Sequence, residues 1–381
     1  MRKLGLYIHI PFCVKKCNYC DFYSLGCVAN GGIERYIDAL CIHIREEGKK
    51  HRDRIVDTVF LGGGTPSVLS AELIKKLFCA VREAFSLSCG CEISIEVNPG
   101  TLTEERALAY KEIGINRVSI GLQSVSDKEL KELGRIHTLD DFKESYRLLR
   151  NVGMNNISVD IMYALPNQRT EDLIKTLDTV VEFAPEHISA YCLKIEENTH
   201  FYKIKDTLVL PDDDEQYKMY ISLCEKLNNS GYSQYEISNF AKKGRESVHN
   251  LKYWLYDDYV GFGPSAHSFS DGTRYSYEGN TDKYIEAIEN GVMPAKIAEE
   301  AIELTDAEKM DEYVMLRLRL AKGVDTNEFE ERFGAPFESR YYAIKKYEKS
   351  GHVCKKGNNY AFTTKGFFVS NYILSDILEN I

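Results

Sequence analysis

The first half of the chain alternates short apolar runs, which predict strands, with longer segments that carry apolar residues at helical spacing. The six runs are Leu6–Ile10, Val56–Leu61, Glu92–Val97, Arg117–Leu122, Ile157–Leu165 and His187–Leu193. The helix-like segments between them are Ile33–Glu46, Ala71–Ala84, Glu104–Ile113, Asp140–Asn151 and Glu171–Phe183. Because helical crossovers connect parallel strands, this order predicts an α/β protein with a mostly parallel sheet. Periodicity alone leaves open whether the sheet is doubly wound or forms a partial TIM-like barrel.

The later part of the chain departs from this alternation. Residues 1–230 form the predicted core, and the less regular segment 231–303 extends it. A capping box at Thr305–Glu308 begins a third part, residues 304–381, whose helices and two-stranded hairpin resemble a winged helix. Its predicted elements are a helix over Lys309–Leu320, a helix over Phe337–Ser350, a hairpin turn at Lys356–Asn359 and a helix over Lys365–Leu378.

Composition excludes several classes of protein. The net charge of −10, with twelve basic and twelve acidic residues between positions 305 and 381, argues against a protein that binds nucleic acid. Eleven cysteines, an odd number in a chain of 381 residues without a signal peptide, do not form a disulfide framework. No apolar run approaches the roughly 18 residues needed to span a bilayer. These features predict a cytoplasmic protein whose cysteines are thiols or metal ligands.

Three cysteines, Cys13, Cys17 and Cys20, follow the first predicted strand at short spacing. A loop this short can present three thiolates to one face of a metal cluster, and Lys15 and Lys16 are expected to favour the ionised thiols. Structural zinc generally takes four ligands, and no fourth Cys or His lies at zinc-finger spacing. A [4Fe–4S] cluster can instead use three thiolates and leave one iron open to a substrate or cofactor. The spacing therefore predicts an iron–sulfur cluster rather than a zinc site.

The sequence around these cysteines, Tyr7-Ile-His-Ile-Pro-Phe-Cys13 followed by Cys17, Tyr19 and Cys20, resembles the start of a radical S-adenosylmethionine (SAM) protein. More narrowly, it is similar to the oxygen-independent coproporphyrinogen III oxidase-like group, and the similarity extends over almost the whole chain. The resemblance implies that the three cysteines bind a [4Fe–4S] cluster whose open iron is chelated by the amino and carboxylate groups of SAM. It also implies a partial TIM-like (β/α)6 barrel with a smaller, winged-helix-like C-terminal domain.

Polar and glycine-rich motifs follow several of the predicted strands. The segment Gly62–Thr65 after the second strand indicates either a tight turn or a loop that approaches a ligand closely. Glu96 and Gln123 close the third and fourth strands, and parallel α/β folds place their chemistry at such strand ends. In the family that the chain resembles, the matching positions bind the cofactor SAM. The positions carried over from that resemblance are Tyr7, Tyr19, Gly63, Gly64, Thr65, Glu96, Gln123, Arg135 and Asp160.

The segment His249-Asn-Leu-Lys-Tyr253-Trp254 holds the one tryptophan of the chain. Histidine is a common axial ligand of haem iron, and aromatic rings pack against a porphyrin. A lone histidine beside aromatic residues is more often a packed structural residue, so chemistry alone favours that interpretation. The segment nevertheless resembles the signature of the haem-chaperone branch of the same group, as does Ser233–Ala241. This resemblance implies haem binding near the segment, with His249 as the best candidate ligand.

Two functions are compatible with the resemblance. The first is a haem chaperone that carries a [4Fe–4S] cluster and SAM, binds haem as cargo and delivers it to clients such as respiratory haem proteins. The alternative is an oxygen-independent coproporphyrinogen III oxidase, a radical SAM enzyme of porphyrin biosynthesis. That enzyme carries a further Cys where this chain has Phe22, and a long extension before the first strand, and both differences favour the chaperone. The sequence leaves open whether delivery involves a homodimer or a peripheral contact with a membrane.

Overall fold

The computed structural model describes residues 1–26, 32–292, 298 and 301–379 of the chain. These residues form two compact units, each made of several chain segments. Unit 1 comprises Met1–Asn167, Tyr191–Leu210 and Asp257–Glu303, and unit 2 comprises Gln168–Ala190, Pro211–Tyr256 and Leu304–Ile381. The division at residues 230 and 303 that the sequence suggests stays a prediction. Within the described ranges, no helix combines the length and the apolar character needed to cross a bilayer.

Strands and helices are numbered along the chain. The strands are β1 (Arg2–Ile10), β2 (Phe12–Cys13), β3 (Leu25–Gly26), β4 (Arg54–Gly63), β5 (Leu87–Val97), β6 (Arg117–Gln123), β7 (Ile157–Tyr163), β8 (His187–Cys192), β9 (Ser233–Gln234), β10 (Asn239–Ala241), β11 (Tyr259–Phe262), β12 (His267–Ser270), β13 (Thr273–Ser276), β14 (Ile302–Glu303), β15 (Val324–Asp325), β16 (Val353–Lys356) and β17 (Asn359–Phe362). The α-helices are α1 (Gly32–Gly48), α2 (Ala71–Ala84), α3 (Glu104–Glu112), α4 (Asp127–Glu132), α5 (Leu139–Asn151), α6 (Thr170–Glu182), α7 (His200–Lys203), α8 (Asp213–Asn229), α9 (Val248–Leu255), α10 (Thr281–Glu289), α11 (Asp306–Arg317), α12 (Thr326–Phe333), α13 (Phe337–Arg340), α14 (Ile344–Lys349), α15 (Thr364–Phe368) and α16 (Ser370–Glu379). Short 3-10 helices lie at Pro66–Val68 and Lys205–Thr207.

Parallel strands form the centre of unit 1. Its strands lie in the order β14-β13-β12-β11-β1-β4-β5-β6-β7, and the six strands from β11 to β7 in this order are parallel to one another. The register pairs Glu96 with Ser119 and Gly121 with Asp160. Because the carboxyl ends of parallel strands meet at one edge of a sheet, this register gathers polar side chains from three neighbouring strands at that edge.

Helix α2 buries the apolar residues that repeat at helical spacing in its sequence. Ile74, Leu77, Phe78 and Val81 recur at helical spacing and are all buried. Ser70 caps the helix by accepting a hydrogen bond from the amide of its third residue. Full burial of each such apolar side chain contributes roughly 1.5–3 kcal/mol, so this face stabilises the packing of α2, which contacts α1.

The strand pairs described within unit 2 are antiparallel. Strand β10 pairs with β8 and with β9, and the C-terminal part holds the sheet β15-β17-β16 among helices α11 to α16. The hairpin β16–β17 turns where the sequence predicts it, but the helix predicted over Phe337–Ser350 is two helices, α13 and α14. Tyr341 interrupts it: its φ of −104° and ψ of 45° leave the helical region, and its buried hydroxyl donates a hydrogen bond to Asp311 at 2.6 Å. Tertiary packing therefore overrides the local pattern at this point.

Candidate functional site

A cavity of about 580 Å³ lies in unit 1 and includes the polar strand ends. This volume is typical of sites for small molecules. Most of the residues implied by the resemblance line it: Cys13, Cys17, Tyr19, Cys20, Gly63, Gly64, Thr65, Glu96, Gln123, Arg135 and Asp160. Tyr7 and His249 are not among the lining residues.

The loop that carries the three cysteines is held by Asn18. Its backbone amide donates to the carbonyl of Leu133 at 2.9 Å, and its side-chain amide donates to the carbonyl of Glu132 at 2.8 Å. Its own carbonyl accepts from the amide of Phe201 at 2.9 Å. The neighbouring Tyr19 packs against an apolar cluster that contains Leu133 and Phe201. Three hydrogen bonds and one partly buried ring thus fix the loop between the second and third cysteines.

A chain of polar side chains reaches two of the thiols. The hydroxyl of Thr65 donates to Sγ of Cys13 at 3.4 Å, and Nη1 of Arg135 donates to Sγ of Cys17 at 3.5 Å. Asn98 joins the two, because its amide nitrogen donates to Thr65 at 2.8 Å and its amide oxygen accepts from Arg135 at 3.1 Å. Sequence reasoning missed Asn98, although its position two residues beyond Glu96, at the end of the same strand, was a usable signal.

The donor set at the thiols fits an iron–sulfur cluster better than a single ion. Among the described residues, no three His, Cys, Asp or Glu side chains converge on a position for one metal ion. A cluster binds each thiolate at a different iron, so its ligands do not have to converge. In addition, Nε of Arg135 is buried without a hydrogen-bond partner, which leaves a donor for a bound acceptor.

At Cys20, burial outweighs the effect that the sequence predicts for the neighbouring lysines. Burial raises the pKa of this thiol to about 11, and the nearby charge of Lys16 lowers it only in part. Lys16 lies at the surface, where solvent screens its charge, so desolvation of the thiolate is the stronger effect. Cluster assembly would therefore have to displace a proton from Cys20.

The packing of the chain requires glycine at two positions of the glycine-rich segment. Gly63 has a φ of +110°, and a Cβ there would lie 2.4 Å from the ring of His9. A Cβ on Gly64 would lie 2.8 Å from the carbonyl oxygens of Ile10 and Phe12. The amides of Gly64 and Thr65 donate to those carbonyls at 2.9 and 2.8 Å. The segment is thus both a tight turn and one wall of the cavity.

Two carboxyl groups, those of Glu96 and Asp160, line the same cavity. The amide of Gly63 donates to Oε2 of Glu96 at 3.1 Å. Ser119 donates to both oxygens of Asp160 at 2.9 Å, and Ser158 donates to one of them at 3.3 Å. Burial, followed by the charge of Asp160, raises the pKa of Glu96 to about 8. Sequence reasoning missed the two serines because their spacing carries no motif and their role depends on strand register.

Tyr7 lies close enough to Glu96 to feel its charge. Burial and the charge of Glu96 raise the pKa of Tyr7, and its hydroxyl lies 3.0 Å from Nδ1 of His9. Burial lowers the pKa of His9 to about 4, so this histidine is neutral at physiological pH. Gln123 is buried at the end of β6 with a φ of +71°, a backbone conformation that is strained for any residue with a Cβ.

One wall of the cavity comes from a segment in which the sequence contains no recognisable motif. Tyr191, Lys194 and Glu196 lie at or just beyond the end of the sixth predicted strand, and all three line the cavity. They are exposed, and Met162 contributes an apolar surface beside them. Their position at a strand end was the available signal, but single residues of these types carry no specific chemistry.

His249 lies in unit 2 and is fully buried on helix α9. Its Nε2 lies 2.8 Å from the hydroxyl of Tyr253, one turn along the helix, and the two rings meet edge to face. Burial, with a smaller effect from Lys252, lowers the pKa of His249 to about 3. The imidazole is therefore neutral and packed inside this unit, and its role as a haem ligand remains a prediction.

Comparisons of the sequence with protein families support the resemblance over the whole chain. The profile of the radical SAM superfamily matches residues 7–180, and that of the HemN C-terminal domain matches residues 304–369. The heme chaperone HemW of Bacillus subtilis (strain 168) is 34% identical over 379 residues, which cover 98% of this chain and 99% of the relative. The heme chaperone HemW of Escherichia coli (strain K12) is 37% identical over 86% of this chain and 85% of the relative.

Comparison with solved structures identifies the fold. The chain matches the coproporphyrinogen III oxidase HemN from Escherichia coli, described as a radical SAM enzyme, with a TM-score of 0.86. The match covers 100% of this chain and 91% of that one at 23% sequence identity. It confirms the predicted fold class, an α/β radical SAM fold with a central, mostly parallel sheet and a C-terminal helical domain. The family matches and the near full-length relatives together show that this chain belongs to the radical SAM superfamily and, within it, to the HemW family.

Proposed function

We propose that this protein is a haem chaperone, which binds haem as cargo and delivers it to client haem proteins such as those of respiration. The observation that carries the proposal is the similarity to the Bacillus subtilis heme chaperone HemW over 98% of this chain. The segment with His249 and Tyr253 supplies a candidate haem ligand in unit 2.

The cavity in unit 1 supports the proposed cofactors. Cys13, Cys17 and Cys20 would bind a [4Fe–4S] cluster, and SAM would bind beside it. SAM carries a carboxylate, an ammonium, a sulfonium and two ribose hydroxyls, and the cavity offers a guanidinium at Arg135 and carboxyl groups at Glu96 and Asp160. When bound, the two cofactors supply one-electron chemistry. The chain's own residues would orient the thiols, through Thr65 and Arg135, and would pair with the charges of SAM.

Haem titration of the full chain with its cluster intact tests the proposal. We expect a saturable Soret band at near-stoichiometric haem, and weaker binding after His249→Ala. His43→Ala is the matched control, because His43 is equally buried, is bonded to tyrosine hydroxyls and lies in unit 1. Absence of saturable haem binding by the unmodified protein contradicts the proposal.

An enzyme assay on the same preparation distinguishes a chaperone from a coproporphyrinogen III oxidase. Phe22, which stands where the oxidase has a further Cys, lines the cavity with 70% of its surface exposed. An anaerobic assay with coproporphyrinogen III should therefore give no protoporphyrinogen. Substrate-dependent formation of protoporphyrinogen would support the enzyme instead.

A further inference from the structure

We infer that residues 247–249, at the start of helix α9, form a latch that Tyr235 holds closed and that opens before His249 binds haem iron. The inference rests on the proposed haem site and deepens it, because the latch controls access to the ligand. His249 is the second residue of α9, and its exposed fraction is 0%. An axial ligand has to contact the iron directly, so a fully buried imidazole reaches haem from solvent only after the chain around it has moved.

A hydrogen bond from the backbone of Ser247 fastens the start of α9. The amide of Ser247 donates to the hydroxyl of Tyr235 at 3.2 Å, and this hydroxyl lies 2.9 Å from Nε2 of His187 on β8. Ser247 is also the N-cap of the helix, where its side chain accepts from the amide of Asn250 at 3.3 Å. Ser247 and His187 are both buried, so water does not replace these bonds in the closed state.

Tyr235 is a fixed point for this contact. Its amide donates to the carbonyl of Asn239 at 3.1 Å, and its carbonyl accepts from the amide of Ala321 at 2.9 Å. The ring centres of Tyr235 and His187 lie 5.6 Å apart. Residues 233–241, which resemble a family signature in the sequence, thus supply the anchor for the helix that carries the proposed ligand.

The first turn of α9 is the end that opens with the least disruption. The helix has eight residues, and a helix this short depends on tertiary contacts for its stability. Val248 exposes 45% of its surface, so the first turn lies beside solvent. At the other end, the ring of Tyr256 meets Tyr313 edge to face, and the guanidinium of Arg332 lies 5.3 Å from the centre of the Tyr256 ring. Ring contacts therefore hold the last turn, whereas hydrogen bonds hold the first.

Closure of the latch lowers the affinity for haem. When the competent state is a small fraction of the molecules, the apparent affinity is reduced by that fraction. Breaking one contact that holds the latch closed raises the open fraction, and it raises the affinity by the same factor. A hydrogen bond of ordinary strength changes such an equilibrium roughly two- to tenfold. Reclosure of the latch would also compete with bound haem, which suits a protein that has to release its cargo.

Tyr235→Phe removes the hydroxyl that holds Ser247 and keeps the ring. Hydrogen exchange of the haem-free full chain reports opening at the amides of Asn250 and Leu251, which donate to Ser247. We expect their exchange to be roughly two- to tenfold faster, and haem to bind more tightly by the same factor. The gain in affinity should be absent when His249→Ala is added.

Tyr232→Phe is the matched control. Tyr232 is buried in the same unit, and its hydroxyl donates to the carbonyl of Pro185 at 2.8 Å. This variant loses a hydroxyl of the same kind but keeps the contact between Tyr235 and Ser247. Exchange at the start of α9 and the affinity for haem should therefore stay unchanged.

Ser247→Ala covers the case in which Tyr235→Phe does not fold. Loss of the cap side chain weakens the first turn by a factor of about five, so exchange should again be faster and haem binding tighter. Faster exchange with unchanged or weaker haem binding would overturn the inference, as would unchanged exchange in both variants or a gain in affinity that persists without His249. An unmodified protein that binds no haem would instead contradict the proposed function, whatever the exchange rates.

Discussion

The hydroxyl of Thr65 lies 3.4 Å from Sγ of Cys13 and donates a hydrogen bond to it. The same hydroxyl accepts a hydrogen bond from Asn98, which in turn accepts one from Arg135. Because Arg135 also reaches Sγ of Cys17, one polar chain contacts two of the three thiols. Residues that line the cavity therefore also orient two of the thiols.

Replacing Thr65 by valine tests this contact, since valine keeps the branched shape and removes the hydroxyl. Hydrogen bonds to the sulfurs of a cluster help set its reduction potential. Loss of a bond worth about 1 kcal/mol should lower the midpoint potential by roughly 40 mV, as measured by redox titration of the reconstituted cluster. Ser67→Ala removes a nearby hydroxyl that bonds to Thr101 and to the Asn98 amide but to no thiol, and should leave the potential unchanged. Equal shifts in both variants would contradict the role of Thr65.

Arg135→Lys should weaken SAM binding by roughly tenfold or more, since charge-assisted hydrogen bonds contribute about 1.5–3 kcal/mol. A lysine has one nitrogen in place of the planar group that reaches Cys17, Asn98 and Gly121. Calorimetry with SAM measures the change. Arg147→Lys is the control, because Arg147 is exposed and bonded to Glu144 on the same helix. An Arg135→Lys protein with unchanged SAM affinity would exclude the guanidinium from the site.

Much of the architecture could be predicted because its signals are local. Helix α2 begins and ends where the sequence indicates, since Ser70 caps it and its apolar residues repeat at helical spacing. The strand ends that carry Glu96 and Gln123 were also identifiable, because Glu96 is the next-to-last residue of one predicted strand and Gln123 directly follows another. Their place in one cavity follows from the parallel arrangement.

The remaining site residues depend on distances along the chain that no local pattern encodes. Ser119 and Asp160 are 41 positions apart, and Asn98 and Arg135 are 37 positions apart. The contact between Ser119 and Asp160 is fixed by strand register, and a shift of one residue would turn each side chain to the other face. Asn98 and Arg135 lie outside the strands, so their contact depends on the path of the connecting segments. The break at Tyr341 is of the same kind, because the hydroxyl that causes it bonds to Asp311, 30 positions away.

Gly63→Ala should destabilise the protein far more than Gly90→Ala. Both glycines have a positive φ, of 110° and 90°, so alanine is strained at either position. A Cβ at Gly90 meets nothing within 4 Å, whereas one at Gly63 lies 2.4 Å from the ring of His9. We expect a loss of about 1–2 kcal/mol in the free energy of unfolding for Gly90→Ala and roughly 3 kcal/mol or more for Gly63→Ala. Urea unfolding of the two variants measures this, and equal losses would contradict the close packing at Gly63.

Mild acid should destabilise the protein through its buried histidines. Burial lowers the pKa of His43 to about 3, and its ring nitrogens lie 2.6 and 3.0 Å from the hydroxyls of Tyr284 and Tyr277. Below about pH 6.5 the unfolded chain binds a proton that the folded chain does not, so stability falls as the pH falls toward 3. His43→Gln should reduce the slope between pH 6.5 and 5 by up to about 1.4 kcal/mol per pH unit. Urea unfolding across that range measures the slope, which His267→Gln, at an exposed position, should not change.

Tyr253→Phe separates a ligand role of His249 from a packing role. The change removes the hydroxyl that lies 2.8 Å from Nε2 of His249 and keeps both rings. If haem iron binds this nitrogen, haem has to displace the hydrogen bond from Tyr253 in the unmodified protein but not in the variant. We therefore expect the variant to be about 1 kcal/mol less stable to unfolding and to bind haem roughly fivefold more tightly. Thermal unfolding and haem titration measure the two changes on the same sample. A loss of stability with unchanged haem affinity would mean that His249 is a packed structural residue, and that the haem ligand lies elsewhere.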